Sequence, residues 1–324
     1  MPLVSKGALG QNARMSILPN IPVIDLTREN CIAQLREAYG EIGFGYITGH
    51  GIDPSLVRAV FEASVWFHNL PIDQKMALAV NAQHRGYIPI NTSTDVKSDL
   101  AEVTKPNQSA SFMVMREDAA VDPATYLSGP NQWPDAPDFR ATLERYVAEM
   151  SALGRRLMGQ MLEAAKIEDR SILSAFDTPT TWLRLLHYPP VADHAPGDLY
   201  GSAPHRDFGA LTFLAQDEVG GLQVQTRDGD WIDAPYIEGT FVVNVGDMLA
   251  RLTNDRLIST PHRVINRSGR ERYSCPFFFD PHVSTMIAPI AGTGEPNYPP
   301  LHFGDFLRGE LEASYDAHKG KTAP

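Results

Sequence analysis

Two imidazoles and one carboxylate stand out as groups able to do chemistry together. The segment Pro204-His205-Arg206-Asp207-Phe208 sets a histidine and an aspartate two positions apart. On an extended strand such residues project from the same face. A second imidazole, His262, returns in Thr260-Pro261-His262-Arg263-Val264. Two imidazoles and a carboxylate suit a first-row divalent metal such as Fe(II), covering one face of the ion and leaving three positions open. A His-x-Asp pair alone is weak, because in a chain with 10 His such a pair arises by chance. Its competing reading is a surface turn.

The surroundings shift the weight. Apolar Phe208, Leu211, Phe213 and Leu214 follow at once. Gly220-Gly221-Leu222-Gln223-Val224 reads as a turn and strand, and Asp228-Gly229-Asp230-Trp231 as a hairpin. Thr240-Phe241-Val242-Val243-Asn244-Val245-Gly246-Asp247 is β-branched and bounded by glycine. Short strands at this spacing build a sandwich or barrel.

The elements around this core set where its side chains point. Ile21–Leu26 predicts a first strand, with Thr27 capping a helix over 28–40. A second strand spans Ile42–Gly49. Asp53 followed by Pro54 marks the start of a helix running to His68. Residues 81–136 are the least regular, with Gly86-Tyr87-Ile88-Pro89 as a short extended piece. Loops of that length usually cover or bind something, which makes Tyr87, Phe112 and Met113 candidate pocket residues; their alternative is plain packing. Leu143, Tyr146, Met150, Leu153, Leu157 and Met161 recur at helical spacing and predict a bracing helix over 137–166. In the strand Trp182–Pro190, Arg184, Leu186 and Tyr188 share one face, while Leu183, Leu185 and His187 share the other. If the first face looks inward, Arg184 and Tyr188 point at the site. Arg272, Ser274, Pro276, Phe278 and Asp280 likewise share a face, and the tail holds a short helix over about 304–317.

Several segments, in this order and spacing, resemble the core of the Fe(II)/2-oxoglutarate-dependent dioxygenases of the isopenicillin N synthase-like family. They are His205-x-Asp207, Gly221-Leu222-Gln223-Val224, Val243-Asn244-Val245-Gly246-Asp247, Leu252-Thr253-Asn254, Ser259-Thr260-Pro261-His262-Arg263-Val264 and Arg272-x-Ser274. The N-terminal block, down to Gly49-His50-Gly51, is similar to that family's N-terminal region. The resemblance implies a distorted double-stranded β-helix, a jelly-roll core in a mainly β (α+β) chain, braced by helices of the N-terminal part. It implies Fe(II) on His205, Asp207 and His262, with 2-oxoglutarate as co-substrate and O2 as oxidant. Arg272 and Ser274 are then expected to bind the distal carboxylate of 2-oxoglutarate, with Tyr188 beside them. A guanidinium fork two positions from a hydroxyl suits that task, and lysine would not reproduce the fork. Tyr87, Phe112, Arg184, Phe278 and Asp280 are the expected substrate contacts, Asp280 meeting an amine or hydroxyl or else ending its strand in solvent. His50, His187, His194, His282, His302 and His318 are expected to be structural or solvated.

The implied organisation is a flexible lead over 1–19, an N-terminal dioxygenase region over 20–135, bracing helices over 136–180, the oxygenase core over 181–290 and a C-terminal cover over 291–324. The chain has 324 residues and a net charge of −11, so a nucleic-acid partner is not expected. No apolar run is long enough for a membrane span, and the first twenty residues lack a signal-peptide core, with Met15 an alternative start. Two cysteines, Cys31 and Cys275, make no disulfide framework, so a cytoplasmic protein is expected, with Cys275 a buried thiol. The expected partner is a small-molecule substrate, the protein being a monomer or homo-oligomer. The expected reaction couples decarboxylation of 2-oxoglutarate, to succinate and CO2, to hydroxylation or a related oxidation of that substrate. Two alternatives share the fold: an Fe(II) oxidase that does not consume 2-oxoglutarate, of the isopenicillin N synthase or aminocyclopropane carboxylate oxidase type, or an ethylene-forming activity. Arg-x-Ser does not separate them, and Tyr188 favours 2-oxoglutarate. A non-catalytic binding barrel is the third reading, disfavoured because binding alone does not need three open metal positions.

Overall fold

The computed structural model describes residues 21–93, 100, 105–191 and 199–314. The expected lead 1–19, His194 and His318 lie outside the described residues. The chain opens with β1 (Val23–Asp25), α1 (Cys31–Glu41), β2 (Phe44–Thr48), α2 (Pro54–His68) and α3 (Ile72–Met76). β3 (Gly86–Ile88), β4 (Ala110–Met115) and the long α4 (Pro137–Ala164) follow. The core then supplies β5 (Thr180–Tyr188), β6 (Ser202–His205), β7 (Leu211–Gln216), β8 (Leu222–Gln225), β9 (Trp231–Asp233), β10 (Phe241–Val245), α5 (Asp247–Leu252), β11 (His262–Val264) and β12 (Arg272–Asp280). A two-stranded ribbon of β13 (Met286–Ile287) and β14 (Leu301–His302) leads into α6 (Phe303–Ser314).

Local chemistry accounts for several boundaries. Asp53 caps α2 by accepting from the Ser55 backbone N–H at 2.8 Å, with Pro54 in the first turn, as expected. Thr27 does not cap α1. Its hydroxyl and amide both donate to Asp25, and the helix starts after Asn30 without a side-chain cap. Residues 81–136 hold more structure than their composition suggests, because β4 is buried along its whole length and pairs with β5.

Two sheets face each other. The larger has the order β1-β2-β10-β7-β12-β5-β4-β3, and the smaller β6-β11-β8-β9. Only β1 and β2 run parallel among these pairs. Period two divides the larger sheet into two faces. Leu183, Leu185, Phe213, Val243, Phe277 and Phe279 pack with Leu35, Phe67, Tyr146, Met150 and Leu157 from α1, α2 and α4 in one apolar core. Leu186, Tyr188, Val242, Phe44 and Tyr46 look the other way and meet Leu222, Val224 and Val264 of the smaller sheet. The helices therefore brace the outside of the barrel, and the site lies between the sheets. A third cluster joins Met113, Met115, Trp182 and Met248 to Phe303, Leu307 and Leu311 of α6, which covers one end. Both thiols are buried, Cys31 at the start of α1 and Cys275 in mid-β12.

Candidate active site

Register brings the two imidazoles together. His262 of β11 pairs directly with His205 of β6, and their ring centroids lie 4.3 Å apart. Asp207 follows β6, and its Oδ1 stands 3.6 Å from Nε2 of each imidazole. One ligand atom from each of the three side chains falls within 4.8 Å of the others, an arrangement that no other His, Cys, Asp or Glu group shows among the described residues.

Each of the three is oriented by a hydrogen bond from or to its neighbours. His205 Nδ1 lies 2.7 Å from the Ala203 carbonyl and His262 Nδ1 lies 3.3 Å from that of Thr260. A carbonyl only accepts, so Nδ1 donates, and in the neutral ring Nε2 is the nitrogen that keeps a lone pair. Asp207 Oδ2 accepts from Thr212 Oγ1 at 2.5 Å and from Asn244 Nδ2 at 2.7 Å, leaving Oδ1 toward the histidines. Thr212 and Asn244 are cross-strand partners in β7 and β10. Neither stood out in the sequence, although a lone Asn within Val242-Val243-Asn244-Val245 was a visible break in an apolar strand. Burial opposes ionisation of Asp207, yet the facing imidazoles and the Asn244 amide outweigh it and hold the carboxyl well below the usual range. Burial, with the neighbouring His205, lowers His262 to about 4, so its ring is neutral at neutral pH.

The cavity that holds this triad has a volume of ≈ 70 Å³ and is walled also by Arg184, Leu186, Tyr188, Leu214, Arg272, Ser274, Pro276 and Phe278. Arg272 pairs across from Tyr188, and its guanidinium stacks over the Tyr188 ring at 4.5 Å. Arg272 is fully buried; its Nη1 donates to Ser274 Oγ at 3.2 Å and its Nε to the Gly220 carbonyl. Nη2 is buried with no hydrogen-bond partner. A guanidinium nitrogen left so is costly, and a carboxylate is the acceptor that fits its geometry. Residues His205, Asp207 and His262 thus fit Fe(II), and Arg272 with Ser274 and Tyr188 fits the far carboxylate of 2-oxoglutarate.

Arg184 and Phe278 line this cavity, as the period-two reading of their strands predicts. Tyr87 and Phe112 do not. They pair with each other at the end of the larger sheet and point to the helices, Phe112 against Phe67 at 4.3 Å and Tyr87 against Phe67 at 5.9 Å. The parity of β4 decides this, since Ser111 and Met113 take the opposite face. Met113 joins the cluster under α6, not the cavity wall. Asp280 is also corrected. It is buried past the cavity, where Oδ1 accepts from the Ala210 N–H at 2.7 Å and steadies the turn after Asp207. Of the other described histidines, His50 Nδ1 accepts from the Ile52 N–H, His68 Nε2 lies 2.9 Å from the Leu185 carbonyl, His84 meets Tyr126, His187 stacks on Tyr273 on the helix side, His282 meets Ser284, and His302 meets Asp305.

Comparison with known proteins agrees with this geometry. Residues 179–281 match the 2OG-Fe(II) oxygenase superfamily, and residues 21–136 match the N-terminal region described as that of a non-haem dioxygenase in morphine synthesis. A 2-oxoglutarate-Fe(II) type oxidoreductase of Emericella nidulans is 36% identical, over 90% of this chain and 88% of its own. A full-length Neurospora crassa protein, solved in complex with alpha-KG and thymine, superposes with a TM-score of 0.78 at 31% identity, over 90% of this chain and 96% of that one. JOX2, in complex with 2OG, Fe and JA, gives 0.76 at 28% identity, over 89% and 84%. The chain belongs to the 2OG-Fe(II) oxygenase superfamily. It is an Fe(II)- and 2-oxoglutarate-dependent oxygenase with a jelly-roll fold, as are relatives named for 2-oxoglutarate.

Proposed function

We propose that this enzyme oxidises a small molecule seated between Arg184 and Phe278, with His205, Asp207 and His262 holding the iron and Arg272, Ser274 and Tyr188 holding 2-oxoglutarate. The observation that carries the assignment is the buried Arg272 guanidinium, one nitrogen of which lacks a protein partner inside the same cavity as the triad. Bound there, iron would supply the redox chemistry by which 2-oxoglutarate is decarboxylated to succinate and CO2 at the expense of O2. The chain's own part is positional. The Nε2 atoms of His205 and His262 and Oδ1 of Asp207 would hold the metal. Arg272 and Ser274 neutralise and orient the distal carboxylate, and Tyr188 backs the guanidinium. Phe278, Leu214, Leu186 and Pro276 keep water from the reacting centre. Phe278 pairs with Thr212, whose hydroxyl holds Asp207, so an aromatic wall stands at the level of the triad. Arg184, on the neighbouring strand and within reach of Ser111 Oγ at 3.1 Å, offers donors to a polar oxygen of the substrate. Solved relatives carry small molecules, thymine in one and JA in another.

Anaerobic titration with Fe(II) and 2-oxoglutarate tests the assignment by the visible charge-transfer band of the chelate. The band is expected in wild type, absent in His205→Ala and at least tenfold weaker in apparent affinity in Arg272→Ala. A band unchanged in His205→Ala would refute the metal assignment.

A further inference from the structure

Arg272 does not orient itself. Its Nε donates to the carbonyl of Gly220, in the turn joining β7 to β8. That turn is tied back to the strand bearing Arg272. Asp217 Oδ2 accepts from the Tyr273 N–H at 2.6 Å, and its Oδ1 accepts from the Val219 N–H at 3.0 Å. The backbone doubles the tie, the Asp217 N–H donating to the Tyr273 carbonyl at 3.3 Å and the Gly220 N–H to the Asp217 carbonyl at 3.4 Å. The turn needs glycine at both positions, φ being +74° at Gly220 and +90° at Gly221. A Cβ on Gly221 would stand 2.5 Å from the Ile265 carbonyl oxygen. One carboxylate thus bridges the residue after Arg272 to the turn whose carbonyl receives Arg272.

We infer that Asp217 is a positioning residue for 2-oxoglutarate: it locks the Asp217–Gly220 turn onto β12, and so sets the angle at which the Arg272 fork meets the distal carboxylate. The inference rests on the reading of Arg272 as the carboxylate's partner. Asp217 is not among the residues that wall the cavity, while Arg272 is. Its burial raises its pKa, and the Tyr273 N–H and the Arg272 charge oppose that rise, so a carboxylate here is itself held by the group it positions. A neutral acceptor would satisfy one amide, not both.

The consequence is specific to one end of the ligand. A 2-oxo acid lacking a distal carboxylate, such as pyruvate, chelates the metal without using Arg272. Asp217→Ala and Asp217→Asn are therefore compared with Arg272→Ala and wild type, in full-length protein, by anaerobic Fe(II) chelate titration with 2-oxoglutarate and separately with pyruvate. Thermal melts are recorded alongside. The expected result is a loss of about tenfold in 2-oxoglutarate affinity in Asp217→Ala, a smaller loss in Asp217→Asn, and pyruvate affinity equal to wild type in both. Equal losses for both acids would mean a general loosening of the barrel and would overturn the inference. So would wild-type 2-oxoglutarate affinity in both Asp217 variants while Arg272→Ala is impaired. If Arg272→Ala itself binds 2-oxoglutarate like wild type, the reading of the clamp fails first and the inference falls with it. Were Asp217→Ala to melt below the assay temperature, Asp217→Asn alone decides, on the same 2-oxoglutarate-to-pyruvate ratio.

Discussion

Asp280 shows how a side chain's chemistry depends on what it meets. Buried at the end of β12, its carboxyl is pushed up to about 7, first by burial and then by the charge of Asp207, against the pull of the Ala210 N–H. In the unfolded chain it titrates near the ordinary aspartate value. Between about pH 4 and 7 the unfolded state therefore sheds a proton that the folded state keeps. Stability contributed by the protonated form is full below pH 4 and is lost as pH rises toward 7. Asn cannot ionise and still offers an oxygen to Ala210. Asp280→Asn is expected to match wild type near pH 4 and to exceed it in stability at pH 7.5, by on the order of 2–4 kcal/mol at most. Metal-free protein unfolded in urea across that range gives the measurement, and a constant offset at every pH would refute it. From sequence, Asp280 was placed on the right face and given the wrong neighbour. Parity locates a face, but only tertiary packing puts the Ala210 amide against that carboxyl.

The elements divide by how much of their job is local. The strands carrying Arg184, Tyr188, Arg272 and Phe278 were legible because period two is a property of the backbone, and any buried strand obeys it. The α4 brace was legible from its apolar stripe. β4 was not, because Ala110–Met115 is six residues within a polar region, and its strand character comes from pairing with β5. The misplacement of Tyr87 and Phe112 follows from that omission. α4 also hides a constraint no periodicity reveals. Gly154 sits where the helix presses on β12, and a Cβ there would be 2.6 Å from Phe279 Cγ. Alanine gains about 1 kcal/mol of helix propensity in an open helix, while overpacking a core costs about 1–3 kcal/mol. Sterics win here, because Phe279 is itself wedged against Phe176, stacked at 5.4 Å. Gly154→Ala should lower Tm by a few degrees, at about 2–4 °C per kcal/mol; a rise in Tm would show that the helix can shift outward freely.

At the scale of the molecule, helices close the barrel on one side and α6 caps an end. Phe303, Leu307 and Leu311 are buried against Met248, Val283 and Ile287, and that same cluster is touched by Phe278 of the cavity wall. Leu307→Ala removes a side chain with no exposure, at a cost of about 2–5 kcal/mol. Because the lost contacts face the cap rather than the triad, the Fe(II) and 2-oxoglutarate titration should be unaltered at temperatures where the variant is folded, while the melt falls. A parallel loss of chelate affinity would mean that the cap and the metal site are one cooperative unit. Among the described residues no helix is long and apolar enough to cross a membrane.

The two buried sulfurs give the molecule a pair of internal clocks. Cys31 begins α1, which packs on α4 and leads into the β1–β2 edge of the larger sheet, whereas Cys275 sits in a strand flanked on both sides by partners. Burial raises the Cys275 thiol far from its reactive form. A thiol reagent can label either only when the surrounding structure parts. Labelling at Cys31 therefore times the lifting of the N-terminal helices, and labelling at Cys275 times the parting of the sheet that carries Arg272. If the first outpaces the second, the brace detaches before the barrel opens; if they keep step, the chain opens as a whole.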